Sequence, residues 1–537
     1  MAVRRPLLAA LCLAVAFCAH AQAQHQADPE PADVRLGEVS FAISCSRAVR
    51  SEFNRAVGLL HSFWYDAARR GFEQVRAHDP ECAMAGWGIA MTLYPQMNAW
   101  PQPAAVAEAG EALARGTRAA ESSPREAQYL QALQRFYDGF APQKAYAQAQ
   151  AYADAMDGLA RHYPEDLEAQ VFHALALLAA TPPEDATLKN PRAAYEILAP
   201  LFQAHPDHPG IAHYLIHACD HPGMAQLALP AARHYAQIAP DAPLALHMPS
   251  HIFARLGLWP DDIRSNQASL QAAQRLLGLH AGAENRLHAL EFLEYAYLQM
   301  GDDASAQAML ARARSIAPGD VDSRYPTYWA YVQARLPALL AIETRDCAEA
   351  ARLIPLPGAT AGSEATTLLA QAIAAAHRHE PQAASRIARR MDELERREPR
   401  GAAGTLGTTL PAEVRAWVAY TRDDLPRARA LLQPLAARQA SSGKGEVELP
   451  AREMLAQMLL LSGDAQEALH EYQGSFESDP NRLNALLGAG QAAELLDQPQ
   501  IAAGYYRTLL KTCPAPSGRA QQALRHAFAI ARSHARG

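Results

Sequence analysis

An all-α fold is predicted, a solenoid of paired helices, and three observations carry the prediction. Half of the 537 residues are hydrophobic and 20% are charged, enough apolar material to offset the entropy of ordering a large core. Aromatic residues are only 7% of the chain and alanine is abundant, a balance that suits close helix packing better than sheets. Near the C-terminus Ala456, Leu459, Ala468, Tyr472 and Pro480 recur 34 residues further on as Gly490, Ala493, Ala502, Tyr506 and Pro514. A recurrence of that length is the length of one helix–turn–helix unit, and such a unit buries its apolar face only by stacking on copies of itself.

The N-terminus reads as a targeting segment. Arg4 and Arg5 precede an apolar stretch from Leu7 to Ala19, and Ala19-His20-Ala21 and Ala21-Gln22-Ala23 both fit small-x-small cleavage. Residues 1–23 are therefore expected to be a signal peptide and the protein periplasmic or secreted. That stretch falls short of the ~20 apolar residues needed to cross a bilayer and no later segment supplies them, so no membrane span is expected. With 49 Lys and Arg against 56 Asp and Glu the net charge is −7, which gives no basic field for a phosphate backbone. No nucleic acid partner is expected. Removing the signal leaves Cys45, Cys82, Cys219, Cys347 and Cys513, an odd number in an oxidising compartment. There is no C-x-x-C, and Cys45 with Cys82 is the pair expected to form.

Repeat signals continue through the chain. In "LLHSFWYDAARRGFEQVRAHDPECAMAGWGIAM" Ala68, Phe72 and Pro80 take the same offsets, and Ile89 and Ala90 open the next unit. These positions resemble the tetratricopeptide family. The resemblance implies antiparallel helix pairs stacked as a right-handed superhelix, with Ala68, Ala468 and Ala502 letting helices approach, Phe72, Tyr472 and Tyr506 filling the gap, and proline ending each second helix. Turn signals at "MGDDASAQAML" from Met300, "TRDCAEAARLI" from Thr344 and "TRDDLPRARALL" from Thr421 extend the array, so roughly eight to eleven repeats are expected. Turn-rich breaks begin at Pro355, Pro399 and Ala440. They divide the mature chain into a main superhelix at 36–345, irregular helical repeats at 346–438 and a C-terminal repeat pair at 439–537.

Chemistry is concentrated in one segment. From Asp207 the chain reads "DHPGIAHYLIHACDHPGMAQLALPAARHYAQIAPDAPLALHMPSHIFARLGLW". His213 and His217 are four apart, His247 and His251 are four apart, and the second pair follows the first by 34 residues. Residues at i and i+4 lie about 6 Å apart on one helix face, and packed helices about 8–10 Å apart, so the four imidazoles are expected to converge. By the family resemblance these pairs fall on positions that line the concave groove, as does His221. His288, Glu291 and Tyr295 continue the groove if Gly301 opens the following turn, and His61 takes a groove position in the first repeat. A divalent transition metal, zinc, copper or iron, suits such imidazoles, with Glu291 or Asp220 completing the shell or orienting a histidine. The alternative is that the histidines bond to carbonyls and each other, or grip an acidic peptide. Pro249 lacks a backbone N–H, so the helix bearing His247 and His251 is expected to start or kink there.

Other apparent motifs fail on context. "GAGQAA" from Gly488 follows no strand and reads as packing glycine inside a repeat helix. No H-E-x-x-H, G-x-S-x-G or P-loop occurs, and Ser250 lacks the strained elbow a nucleophilic serine needs. Trp87, Met91 and Tyr94 recur at helical spacing, as packing residues do. The "LLHSFWY" opening and the "HYLIHACDHP" and "HMPSHIF" stretches are similar to a group of secreted bacterial tetratricopeptide proteins, which implies a fold and a compartment but no reaction. The leading expectation is an extracytoplasmic scaffold holding a protein or peptide ligand in its groove. The alternative is a metal-binding protein or metal-dependent enzyme built on His213, His217, His247 and His251.

Overall fold

A computed structural model describes residues 34–515 apart from 95–99, 120–121, 183–184, 276–281, 322–326, 399–405, 408 and 446, together with 521, 525–527 and 529. The expected signal peptide lies outside the described residues. Among those described, the regular structure is twenty-five α-helices and three short 3-10 turns, with no strand. No helix there is long and apolar enough to cross a membrane.

The helices form twelve hairpin pairs, from Arg50–His61 with Tyr65–His78 to Leu483–Leu495 with Pro499–Thr512. That exceeds the eight to eleven expected because the middle of the chain is also paired. Ala361–His377 packs with Pro381–Arg397 and Thr409–Thr421 with Leu425–Ser442; Tyr328–Glu343 has a stunted partner, Cys347–Arg352. The break expected at Ala440 begins later, because the helix runs to Ser442 before Gly443 turns with φ +79°.

The recurring residues do what their offsets imply. Ala68, Ala468 and Ala502 are fully buried between helices, with Phe72, Tyr472 and Tyr506 beside them. A Cβ on Gly490 would stand 2.1 Å from the Tyr506 ring, so "GAGQAA" is indeed close-packing glycine. Four of the turns inside the pairs share one solution. Gly301, Arg345, Asp423 and Gly463 take left-handed φ, and the next residue is an aspartate whose carboxylate accepts from the third backbone N–H of the second helix, as Asp302 does from Ser305 and Asp464 from Glu467.

The array also folds back on itself. Trp259 Nε1 donates to Asn481 O at 2.8 Å, Asn481 Nδ2 to Gly257 O at 3.3 Å, and Leu483 N to Gln299 Oε1 at 3.1 Å. A Cβ on Gly257 would lie 2.4 Å from Pro480 O, so the two backbones touch. Arg482, fully buried, is the key of this junction: it bonds Glu453 and Tyr295 and reaches Glu343 at 2.6 Å. At the other end Cys45 and Cys82 form a disulfide across 37 residues, leaving Cys219, Cys347 and Cys513 as thiols.

Candidate metal centre

The first histidine pair sits on the helix Pro209–Cys219. Pro209 takes the first helical position, where its missing N–H costs nothing, and the His208 ring accepts from Ile211 N to cap the turn. His213 is fully buried, its ring stacked on Tyr235 at 5.3 Å and packed against Phe63 at 4.3 Å. Its Nδ1 donates to the backbone oxygen of His61 at 2.6 Å, which leaves Nε2 as the lone-pair nitrogen. Burial pushes this imidazole's pKa down to about 3, so it is neutral at pH 7. His217, one turn on, stacks on Phe63 and brings its Nε2 to 3.2 Å from His213 Nε2. Phe63 holds φ +53°, costly for a bulky residue, and that backbone places its ring under both histidines.

The second pair survives the proline. The helix does break in its hydrogen bonding, Pro243–His247 being followed by Pro249–Arg255, yet Met248 keeps helical φ −50° and ψ −36°. His247 and His251 therefore stay on one face, their Nε2 atoms 3.0 Å apart. Each ring is fixed from behind. His247 Nδ1 meets Asn266 Oδ1 at 2.6 Å, and because Asn266 Nδ2 donates to Asp262 O and Oδ1, its oxygen is the end that accepts. His251 Nδ1 donates to Asp220 Oδ2 at 2.8 Å, and Arg255 Nε holds the other carboxylate oxygen at 2.9 Å. With both Nδ1 atoms donating, the facing Nε2 atoms of His247 and His251 are both lone-pair nitrogens. Two lone pairs at 3.0 Å repel unless a proton or a metal ion sits between them.

The pairs converge. The His217 and His251 rings are 6.5 Å apart, and His288, from the helix Ala283–Gln299, adds a fifth imidazole 4.2 Å from His247 and 6.2 Å from His251. One ring nitrogen from each of His247, His251 and His288 fits within 4.8 Å, over a floor made by Phe292. His213 and His247 are buried while His217, His251 and His288 are partly exposed, so the cluster opens to solvent on one side.

Three expected site residues lie elsewhere and a fourth, Glu291, stands behind the cluster. His221 falls past the end of its helix at Cys219, so it leaves the His213 face; its Nε2 donates to Ser441 O at 2.7 Å and its Nδ1 accepts from Gly223 N. Glu291 points behind His288, 3.7 Å from its Nδ1, and takes the Tyr328 hydroxyl at 2.8 Å. Tyr295 belongs to the Arg482 junction, packed on Trp259. His61 is fully buried, and only its carbonyl reaches the centre. Its ring joins His208 in donating to the two oxygens of Glu168, at 2.9 and 3.1 Å, while Tyr214 donates to its Nδ1. Burial pushes the Glu168 carboxyl up, but the two imidazoles outweigh it and hold it well below the usual carboxylate range. That triad is a satisfied network, with each nitrogen and oxygen already spoken for. Asn266, Phe63 and Phe292, which orient or support the rings, carry no sequence signal of their own.

No protein family matches the chain, and no curated protein matches it. Among solved structures it is similar to the human IFIT1 dimer with m7Gppp-AAAA, at 11% identity over 88% of this chain and 96% of that one, TM-score 0.36. It is also similar to an IFIT1 monomeric mutant with Gppp-AAAA, at 11% identity over 80% and 90%, TM-score 0.36. At those scores the likeness says nothing of this chain's ligand.

Proposed function

We propose that this is an extracytoplasmic helical-repeat protein that holds a divalent transition metal on ring nitrogens of His247, His251 and His288, with the His213 and His217 pair beside them. The observation that carries the reading is the facing of the His247 and His251 lone pairs, each ring locked by a donor bond to Asn266 or Asp220. Orientation of a ligand histidine by an acceptor at its other nitrogen is the usual outer shell of a metal site. Two nitrogens bound tetrahedrally to one zinc stand about 3.3 Å apart, and the two pairs here stand 3.2 and 3.0 Å apart. An all-imidazole set suits zinc, copper, iron or nickel, and the zinc spacing puts zinc first. The nearby carboxylates of Asp220 and Glu291 offset the charge.

The resemblance of the "HYLIHACDHP" and "HMPSHIF" stretches to secreted bacterial tetratricopeptide proteins supports the compartment. A scaffold for a protein or peptide is the second reading, favoured by the stacked pairs, which offer an extended surface. Calorimetric titration of metal-stripped protein with zinc separates the two. One site per chain is expected, with affinity falling sharply in His251→Ala and His288→Ala while helicity is kept. Absence of zinc, copper and iron binding by folded wild-type protein would leave the scaffold reading.

A further inference from the structure

A second polar site lies well along the chain from the histidines. A cavity of about 280 Å³ is walled by the helices Tyr328–Glu343, Ala361–His377 and Thr409–Thr421 and by residues 447–449. Most of its surface is apolar, with Leu339, Leu369, Leu410 and Leu449 contributing. Three charged side chains line it as well: Arg335, 8% exposed, Glu413, 4% exposed, and the half-buried Glu448.

Neither Arg335 nor Glu413 is fully hydrogen-bonded by the protein. Arg335 Nε has no hydrogen-bond partner, its Glu291 counter-ion standing off at 3.7 Å, and the guanidinium lies over the Tyr331 ring on the cavity wall. Glu413 makes no hydrogen bond among the described residues. The two feel each other's charge without pairing, since Arg335 draws the Glu413 carboxyl down while no ion pair joins them. A buried charge is costly unless paired and hydrogen-bonded, and a buried guanidinium has five N–H groups to satisfy. An anion alone would answer Arg335 but face Glu413 and the neighbouring Glu448; a cation alone would leave Arg335 unanswered.

We propose that this cavity binds a small zwitterion with an apolar body, an amino acid or short peptide, its carboxylate on Arg335, its ammonium on Glu413 and its side chain among the leucines. The volume fits, being just below the range of about 300–1,000 Å³ that takes drug-sized molecules. The state of Glu413 fits too. Burial, then Glu448, pushes its carboxyl up to about 8 against the opposing charges of Lys444, Arg438 and Arg335, so without ligand it is held neutral, and an arriving ammonium restores the carboxylate.

The test is calorimetry on the full mature chain with L-leucine, L-phenylalanine and L-leucyl-L-leucine. At least one binds with one site per chain. Its deaminated and decarboxylated analogues, 4-methylpentanoate and 3-methylbutylamine for leucine, bind at least about tenfold more weakly, as loss of a charge-assisted bond requires. Glu413→Gln, nearly isosteric with the neutral acid, weakens binding by a similar factor while circular dichroism is unchanged. Silence from all three probes at millimolar concentration overturns the proposal. So does equal binding of an analogue, or wild-type binding by folded Glu413→Gln; should that variant fail to fold, the analogue series still decides.

Discussion

Asp220→Asn is the most informative single change, because it alters no metal ligand and acts through a hydrogen bond. Asp220 accepts from His251 Nδ1 at 2.8 Å with one oxygen and from Arg255 Nε at 2.9 Å with the other. An asparagine offers one acceptor and one donor to those two N–H groups, so in one orientation its amide nitrogen faces Arg255 and in the other it faces His251. Arg255 cannot give up its proton, so the amide oxygen turns to the guanidinium. His251 then relieves the clash by shifting its proton to Nε2, the nitrogen aimed at His247 Nε2. A protonated nitrogen does not bind metal. Loss of such an outer-shell partner typically lowers metal affinity 10–100-fold, or about 1.4–2.7 kcal/mol. Competition against a chromophoric chelator measures it. Zinc affinity within about twofold of wild type, in a variant of unchanged helicity, would refute the claim that Asp220 sets the His251 tautomer.

Three further outcomes follow from other parts of the fold. Replacing Cys45 and Cys82 with serine should lower stability to urea by about 4 kcal/mol, the loop-closure value for the 37-residue separation. Arg482→Met leaves Glu343 and Glu453 buried without their cation and should cost about 3–5 kcal/mol, with hydrogen exchange rising first in 451–512, where the array folds back. Burial, reinforced by Arg345 and His379, pushes the His377 imidazole down to about 4 from 6.5, so between those pH values the unfolded chain binds more protons than the native one. Stability should therefore fall as pH drops from 6.5 to 4, by up to roughly 3 kcal/mol from this residue, and His377→Gln should flatten that fall in pH-dependent denaturation.

Much of the architecture was legible because repeats write their packing at fixed offsets. Ala468 and Tyr472 predict Ala502 and Tyr506, and the spacing of His213 and His217 predicts His247 and His251. What depended on where a helix ends was read less well. His221 continues the i, i+4 series of its helix but lies beyond Cys219, so it turns away, and Tyr295 and His61 face packed neighbours where the register implies a groove. His288, expected to line the groove, stands with His247 and His251, since its helix leans against the split one. The fold-back left no trace in the sequence: Trp259 and Asn481 are 222 residues apart and obey no period. The Arg335 and Glu413 cavity was equally hidden, because its walls come from three helices whose polar residues look like isolated surface charges.

The most direct measurement is elemental analysis of the mature protein, expressed without a histidine tag and equilibrated with micromolar zinc, copper and iron before dialysis. About one transition-metal ion per chain is expected, zinc foremost, with near-complete loss in the double variant His247→Ala/His251→Ala while its helical spectrum stays intact. Negligible metal in folded wild-type protein, or equal metal in wild type and the double variant, would contradict it.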